Sequence, residues 1–275
     1  MLKLRIVTAL IVAPAILAAI FLLPTPALAI LFLVLAALGA YEWARLAGLR
    51  GVSSIAAFVV ALAAASLLLW QAPVVWGPLL MLVMTLWGGA VLVVITYPAS
   101  GRLLRRIPML LIGFALLLGT WLSLVMLAVG PAGAWSILWV FLIVWSADIG
   151  AYFAGRRFGT HKLAAQVSPG KTWEGVAGGV ALAVVLGTVA GVELAPLAAL
   201  GFDWCGWLVA AALLAAVSVF GDLFESVLKR VAGVKDSGVL FPGHGGMLDR
   251  IDSLLAALPC FAFVTQHLGW VPTGV

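Results

Sequence analysis

Continuous apolar runs, separated by short polar segments, fill almost the whole chain of 275 residues. Each run has about 20 residues, enough to cross the hydrocarbon core of a bilayer as an α-helix. Apolar and polar positions do not alternate within the runs, which excludes the strands of an outer-membrane barrel. We therefore predict an all-α, polytopic integral membrane helical bundle of about nine transmembrane helices. The predicted helices cover roughly residues 4–23, 27–48, 52–72, 76–97, 107–129, 134–154, 173–193, 205–229 and 252–271.

Composition supports a membrane protein. Hydrophobic residues make up 65% of the chain, charged residues 9%, and the mean hydropathy is +1.25, which together exclude a water-soluble globule. The first run, behind Lys3 and Arg5, also resembles a signal peptide, with an Ala-Leu-Ala at 27–29 as its cleavage site. Its apolar stretch exceeds the roughly 7–15 residues of a signal core, which favours an uncleaved anchor.

The basic residues predict the orientation. If the runs cross the membrane alternately, all 15 lysines and arginines fall on one face, and only Glu193 and Asp203 lie on the other. Cytoplasmic loops are rich in Lys and Arg, so we expect this face and the amino terminus on the cytoplasmic side of the cell's inner membrane. A basic face also attracts the anionic headgroups of the lipid bilayer. The net charge of +5 therefore does not indicate a nucleic-acid partner.

The two halves of the chain differ in their polar residues. Residues 1–133, with about five helices and short loops, are predicted to be a transmembrane scaffold. Residues 134–275, with about four helices, carry two long cytoplasmic loops and most of the acidic residues, and are predicted to be the catalytic region. The main polar segment of the first half is YEWARLAG at 41–48. There Glu42 and Arg45 are spaced for a local ion pair on a helix.

Asp148 lies inside an apolar run, VWSADIGAYFAG. Tyr152 and Gly155 share its helical face. An ionised carboxylate in mid-bilayer costs about 2.5–3.5 kcal/mol, so such residues usually face the bundle interior and serve a function. The alternative is a structural partner for an arginine such as Arg156. We expect Asp148 to belong to a functional site.

A polar stripe crosses the run that ends in SVFGDLFESVLKR. Asp222, Glu225, Ser226 and Lys229 follow one another at i, i+3, i+4 and i+7, so they lie on one face of a helix. A solvated helix end would account for Lys229 but not for Asp222, which lies deeper. We therefore predict Asp222 as a site residue.

Residues 241–252, FPGHGGMLDRID, combine charged and ionisable side chains with three glycines. The glycines allow positive φ and a close approach of backbone N–H groups to a ligand. A helix is predicted to begin near Asp249, with Asp252 one turn later, where carboxylates are also favoured by the helix dipole. Capping does not explain His244, Arg250 or the glycines, which favours a site.

The GKT of SPGKTWEG at 168–175 resembles a phosphate-binding P-loop. The first glycine of that motif is replaced by Ala165 and no strand precedes it, so we reject a P-loop. Ser168 as N-cap, with Pro169 after it, predicts a helix start instead. Lys171 and Thr172 would then point to the same cytoplasmic rim as residues 241–252. The helix that follows has a small residue at every fourth position from 175 to 191, typical of close packing within a bundle or between subunits.

Hard carboxylates without clustered His or Cys suit Mg²⁺, which commonly binds through one or two carboxylates plus substrate phosphates. Lysines and arginines nearby suit phosphate oxygens. This combination indicates phosphoryl or nucleotidyl transfer at the cytoplasmic membrane surface, with a lipid as one substrate. A phosphate monoester, largely dianionic at pH 7, needs no strong general base as a nucleophile.

Residues 226–252, SVLKRVAGVKDSGVLFPGHGGMLDRID, resemble the signature of the phosphatidate cytidylyltransferase (CDP-diacylglycerol synthase) family without a departure. GDLFES, SPGKTWEG and the segment around Asp148 are also similar to that family. The resemblance is strong over roughly residues 146–252 and only general in the amino-terminal half.

The resemblance implies a Mg²⁺-dependent reaction of CTP with phosphatidate to CDP-diacylglycerol and pyrophosphate, in a protein that forms a homodimer. By motif position, Asp222 and Asp249 would hold the metal, and a second cation is left open. The implied phosphate-stabilising residues are Lys229, Arg230, Lys235 and Arg250, with Lys171 as a further candidate. The implied orienting groups are Asp236, His244 and Asp252. We also expect substrate contacts from Asp148, Ser168, Lys171, Thr172, Ser226, Gly245 and Gly246.

Two other functions use similar residues. A lipid kinase would employ the same cations but transfer a γ-phosphoryl group. A cation transporter would line a path with Asp148 and Asp222. The nearly charge-free outer face, the odd number of runs and the lack of paired interrupted helices argue against the transporter.

Overall fold

The computed structural model describes residues 13–238, 240 and 245–267. Within that part of the chain, nine α-helices are connected by short loops and 3₁₀ turns. They are α1 (Ala13–Leu22), α2 (Thr25–Leu46), α3 (Val52–Trp70), α4 (Trp76–Thr96), α5 (Arg106–Val129), α6 (Ala134–Phe158), α7 (Trp173–Glu193), α8 (Trp204–Ala232) and α9 (Leu248–His267). A two-stranded antiparallel hairpin, β1 (Lys162–Ala164) and β2 (Ser168–Thr172), lies between α6 and α7.

Seven of these helices, α2 to α8, are long and apolar enough to cross a membrane. They coincide within a few residues with seven of the apolar runs, which confirms an all-α membrane bundle. The described part of α1 is ten residues long, and α9 carries Asp249, Arg250 and Asp252 at its start. The count of nine crossings, the orientation and the division at residue 133 remain predictions. Lys3 and Arg5 lie outside the described residues.

Buried tryptophans hold the helices together through hydrogen bonds between elements. The indole of Trp43 on α2 donates to the Met109 carbonyl on α5 at 2.7 Å, and that of Trp139 on α6 donates to Gly187 on α7 at 2.8 Å. Both rings are fully buried. A buried indole N–H needs an acceptor, and a transmembrane bundle offers few besides backbone carbonyls, so these bonds fix how neighbouring helices are placed.

Pro259 explains a further contact at the centre of the bundle. Pro259 lies inside α9 and has no N–H to donate to the carbonyl of Leu255, one turn earlier. That carbonyl instead accepts from the Trp87 indole at 3.0 Å and the Thr120 hydroxyl at 3.3 Å. The bond that proline removes from α9 is thus replaced by bonds from α4 and α5.

Small residues let α6 and α7 approach closely, as the repeat from 175 to 191 predicts. A Cβ at Gly150 would lie 2.6 Å from the Gly178 carbonyl oxygen and 2.9 Å from the Gly179 Cα. Both atoms belong to the backbone and cannot turn away. The small face is therefore buried within the bundle, where it sets the separation of α6 and α7.

We expect Gly150→Ala to lower the free energy of unfolding by about 1–3 kcal/mol, because the added methyl group forces α6 from α7. Gly88→Ala is the matched control, since a Cβ at Gly88 meets nothing within 4 Å. Thermal unfolding of both variants in one detergent measures the difference. Equal unfolding temperatures would contradict the close packing.

The hairpin corrects the predicted start of α7. Ser168 is not an N-cap, because residues Ser168–Thr172 form strand β2, and α7 begins at Trp173. Thr172 is the cap, and its hydroxyl accepts from the Gly175 amide at 3.2 Å. Glu174 anchors the hairpin by accepting from the Thr160 hydroxyl at 2.7 Å. A serine followed by proline is a common helix start, but here pairing with β1 determines the backbone.

Candidate active site

The polar stripe on α8 exists and is largely buried. The Ser226 hydroxyl donates to Asp222 Oδ1 at 3.4 Å, and Lys229 Nζ lies 2.5 Å from Glu225 Oε2. The Glu225 side chain is only 2% exposed, whereas that of Asp222 is 30% exposed. Successive turns of α8 therefore present two carboxylates and a cation along one face.

The start of α9 brings Asp249 to this stripe. Asp249 Oδ1 pairs with Lys229 Nζ at 2.7 Å. Asp249 Oδ2 accepts from the Gly246 amide at 2.8 Å and from both the amide and the hydroxyl of Ser237 at 2.9 Å. Gly245 has φ +80° and leaves no room for a Cβ beside Asp249, as the glycine-rich sequence predicts. The carboxylate thus fixes the turn that precedes its own helix.

Glu42 of α2 supports the same turn from the amino-terminal half. It is 4% exposed and accepts from the Met247 amide at 2.8 Å, the Leu248 amide at 2.9 Å and the Ser237 hydroxyl at 2.8 Å. The predicted local ion pair with Arg45 is wrong, because Arg45 contacts the Tyr41 hydroxyl and ring instead. Sequence reasoning missed this role. The available signal was a lone acidic residue in an otherwise featureless half.

A cavity of about 410 Å³, which we call the site cavity, opens between α6, β2, α7 and α8. Lys171 of β2 forms an ion pair with Asp222 across it. Asp148, Tyr152 and Gly155 also line it, which confirms that they share a face of α6. Lys171 is therefore a second cation, after Lys229, beside the α8 stripe.

Two further residues of the α9 start lie near the carboxylates. The negative charges of Asp222, Glu225 and Asp148 all act on Asp252, which is partly buried. The positive charge of Arg250 acts on Asp148. Carboxylates from α6, α8 and α9 therefore lie in one region. Their mutual repulsion would push these helices apart unless cations or a metal balanced the negative charge.

The structure gathers most of the predicted site residues in that region, but not all of them. Those gathered there are Asp148, Lys171, Thr172, Asp222, Ser226, Lys229, Gly245, Gly246, Asp249, Arg250 and Asp252. Arg230 instead donates to the Val167 carbonyl at 3.1 Å, which ties α8 to the hairpin. Ser168 lies in β2 outside the site cavity, and Lys235 and Asp236 line a different groove. His244 lies outside the described residues.

The donor set fits a hard divalent cation. Both oxygens of Glu225 are buried and accept no hydrogen bond of good geometry, although Lys229 Nζ lies close. Within the described part of the chain no three His, Cys, Asp or Glu side chains converge on one point. Mg²⁺ commonly needs only one or two protein carboxylates, with waters and substrate phosphates as its other ligands. Asp222 and Asp249, each next to a lysine, can supply these ligands.

Comparisons with known proteins find one family and several similar chains. The model of the cytidylyltransferase family matches residues 3–268. A phosphatidate cytidylyltransferase of Pseudomonas aeruginosa is 42% identical, over 98% of this chain and 99% of its own. One of Haemophilus influenzae is 38% identical, over 96% of this chain and 98% of its own. One of Bacillus subtilis is 44% identical over 46% of each chain. The similarity therefore extends through both halves of the bundle.

Proposed function

The chain belongs to the cytidylyltransferase family, and from this premise we propose that it converts CTP and phosphatidate to CDP-diacylglycerol and pyrophosphate. The protein is then a nucleotidyltransferase of phospholipid synthesis. The observation that carries this proposal is the match to phosphatidate cytidylyltransferases over nearly the entire chain. The carboxylates and lysines at the ends of α8 and α9 support it, because both substrates are phosphates.

The lipid phosphate acts as the nucleophile. A phosphate monoester is largely dianionic at pH 7, its second pKa being about 6, so no strong general base is required. One of its oxygens attacks the α-phosphorus of CTP in line. The bond from that phosphorus to the oxygen shared with the β-phosphate breaks, and pyrophosphate leaves with the bonding electrons.

The protein's main task is to bring two anions together. Lys171, Lys229 and Arg250 surround the carboxylates and supply positive charge for the phosphates. Lys171 and Lys229 now pair with Asp222 and Asp249. We propose that both lysines move to phosphate oxygens when CTP binds in the site cavity, which frees the two carboxylates.

Asp222 and Asp249 are the proposed Mg²⁺ ligands. The metal would neutralise the phosphates and polarise the phosphoryl group under attack. Ser237, Gly246 and Glu42 hold Asp249 in place. Asp222 lies between the site cavity and the Ser226 hydroxyl. These contacts orient the carboxylates and leave their remaining lone pairs for a cation.

The reaction is proposed to occur at the cytoplasmic face of the inner membrane. The clustering of lysines and arginines on the predicted cytoplasmic loops supports this orientation. CTP would approach from the cytoplasm and phosphatidate from the bilayer. We also propose a homodimer, as the sequence resemblance implies, and no nucleic-acid partner.

The deciding experiment gives purified protein phosphatidate in detergent with CTP labelled at either the α- or the γ-phosphate. Cytidylyl transfer places the α-label in a lipid product and releases the γ-label as pyrophosphate. A lipid kinase would transfer the γ-label to the lipid, and a transporter would label neither product. Thin-layer separation of the lipids distinguishes the three outcomes.

Removal of divalent cations with EDTA should abolish the α-label in the lipid, and excess Mg²⁺ should restore it. The loss should exceed about 100-fold, because neutralisation of the phosphates by a metal contributes several kcal/mol to transition-state stability. Circular dichroism should be unchanged, since buried contacts between helices hold the bundle. Full turnover in EDTA would contradict the metal assignment.

A further inference from the structure

A second and larger opening, which we call the lateral groove, lies between α2, α3, the first turn of α5 and residues 231–238. Its volume is about 1420 Å³, against roughly 300–1,000 Å³ for most small-molecule pockets. Val34, Tyr41 and Val52 on its walls are 51%, 45% and 85% exposed, so the groove opens to the surroundings of the bundle. It shares no described lining residue with the site cavity.

The walls of the lateral groove change from apolar to cationic along the helices. Val34 and Leu38 line it on α2, and Ile55 and Val59 line it on α3. Val34 lies about 10 Å along α2 from Tyr41, at 1.5 Å per residue. This apolar length corresponds to about a third of the roughly 30 Å hydrocarbon core of a bilayer. A ligand that fills the groove therefore needs an apolar part.

The rim of the lateral groove carries four cations and one carboxylate among its described residues. The cations are Arg45, Arg50, Arg106 and Lys235, and the carboxylate is Asp236. Within the described part of the chain, none of the four cations forms an ion pair with a carboxylate. Arg45 is held by Tyr41, with its guanidinium 5.8 Å from the ring centre. The rim therefore has an excess of positive charge that suits an anionic group.

The inner end of the lateral groove adjoins the candidate metal ligand. Ser237 and Gly238 line this end. The Ser237 amide and hydroxyl both donate to Asp249 Oδ2 at 2.9 Å. Ser237 thus both lines the lateral groove and binds Asp249. The site cavity approaches the same carboxylates from the side of Asp222 and Lys171.

We infer that the lateral groove binds phosphatidate, with its phosphomonoester at Arg50, Arg106 and Lys235 and an acyl chain along α2 and α3. The inference rests on the proposed function and adds the lipid subsite to it. Only a molecule that has both a strongly anionic group and an apolar part satisfies the two parts of the groove. CTP and phosphatidate then approach the carboxylates through two separate openings, and the phosphomonoester must pass Ser237 and Gly238 before its oxygen attacks the α-phosphorus of CTP.

The charge test uses the double variant Arg50→Gln/Arg106→Gln in detergent micelles that contain phosphatidate. We expect the KM for phosphatidate to rise at least tenfold, with the KM for CTP and kcat within twofold of the unmodified protein. The matched control is Arg102→Gln/Arg157→Gln, which removes two exposed arginines that line neither opening. An unchanged KM for phosphatidate in the first variant overturns the inference.

A steric test does not depend on charge. Ala56 lines the lateral groove, whereas the neighbouring Ala57 is exposed and does not. Ala56→Trp should raise the KM for long-chain phosphatidate at least fivefold, and Ala57→Trp should leave it unchanged. Equal values for the two variants would mean that no acyl chain lies along this face of α3.

Direct labelling separates this inference from the proposed function. A phosphatidate with a photoreactive acyl chain should label peptides of α2 and α3 in the protein without CTP, and unlabelled phosphatidate should compete. Equal competition by phosphatidylglycerol, a phosphodiester, would identify a general site for anionic lipids and overturn the inference. If these peptides were protected from labelling only in the dimer fraction, a second copy of the chain would occupy the groove, which would also overturn the inference. Labelling without cytidylyl transfer to lipid would leave the groove in place and reject the proposed function.

Discussion

Asp222→Asn and Asp249→Asn should each lower kcat for CDP-diacylglycerol synthesis by at least about 100-fold. An amide oxygen is a weaker ligand than a carboxylate and carries no charge, so either change removes half of the proposed protein contribution to Mg²⁺ binding. Asp222→Asn also removes the charged partner of Lys171, and Asp249→Asn leaves Lys229 with Glu225 as its only charged partner among the described residues. The measurement is the initial rate of α-label incorporation into lipid over a range of Mg²⁺ concentrations.

Asp203→Asn is the matched control for these two changes. Asp203 is the N-cap at the far end of the same helix, where its Oδ1 accepts from the Gly206 amide at 2.7 Å. Asparagine caps helices about as well as aspartate, so rate and unfolding temperature should both be retained. Near-normal turnover in Asp222→Asn or Asp249→Asn would contradict the metal assignment.

The two catalytic variants should differ in stability. Asp249 Oδ2 accepts from the Ser237 and Gly246 amides and shares the single Ser237 hydroxyl proton with Glu42, whereas Asp222 accepts one long bond from Ser226 and forms a partly exposed ion pair with Lys171. An asparagine side chain in place of Asp249 retains only one oxygen for both this turn and Lys229. We therefore expect Asp249→Asn to reduce the unfolding temperature and Asp222→Asn to leave it nearly unchanged.

The helices and the polar stripe could be predicted from the sequence because both follow from local regularities. A membrane helix needs an apolar run of fixed length, and α2 to α8 coincide with such runs. Residues three and four apart on a helix share a face, which places Asp222, Ser226 and Lys229 together. Gly245 was predictable for a similar reason, since few other residues adopt its positive φ.

Contacts between distant segments could not be predicted in this way. Glu42 binds Met247, which is 205 residues further along the chain, and no spacing rule connects them. An ion pair of Glu42 with Arg45 was the simpler expectation. Glu42 is only 4% exposed, however, and a buried carboxylate needs hydrogen-bond donors, which neighbouring backbone N–H groups supply here. Strand β2 was missed because its pairing with β1 outweighs the preference of Ser168 and Pro169 for a helix start. The separation of Lys235 from the site cavity likewise depends on how α2, α3 and α5 pack.

Glu42→Gln should destabilise the protein and reduce activity, although Glu42 is proposed to contact neither substrate. The carboxylate accepts from two backbone amides and one hydroxyl. Glutamine presents one oxygen and an NH₂ group, so at least one buried donor loses its acceptor, at a cost of about 1–3 kcal/mol. Glu42→Ala removes all three acceptor contacts and should be worse. Thermal unfolding in detergent measures both variants.

The activity of Glu42→Gln shows whether Glu42 positions the proposed metal ligand Asp249 or only stabilises the fold. Because Ser237 bridges Glu42 and Asp249, a loosened turn should displace a proposed metal ligand. At a temperature where the variant is folded, we therefore expect kcat to fall at least tenfold and half-maximal activity to need more Mg²⁺. Glu193→Gln, an exposed residue at the end of α7, should change neither quantity.

A double-mutant cycle with Ser237→Ala tests whether Glu42 affects the Mg²⁺ requirement through the Ser237 hydroxyl. If Glu42 acts on Asp249 through Ser237, the Mg²⁺ requirement of Glu42→Gln/Ser237→Ala should be well below the product of the two single effects. Multiplicative effects would mean that Glu42 acts through the Met247 and Leu248 amides alone. In that case its function would be to fix the start of α9, and the hydroxyl bridge would be incidental.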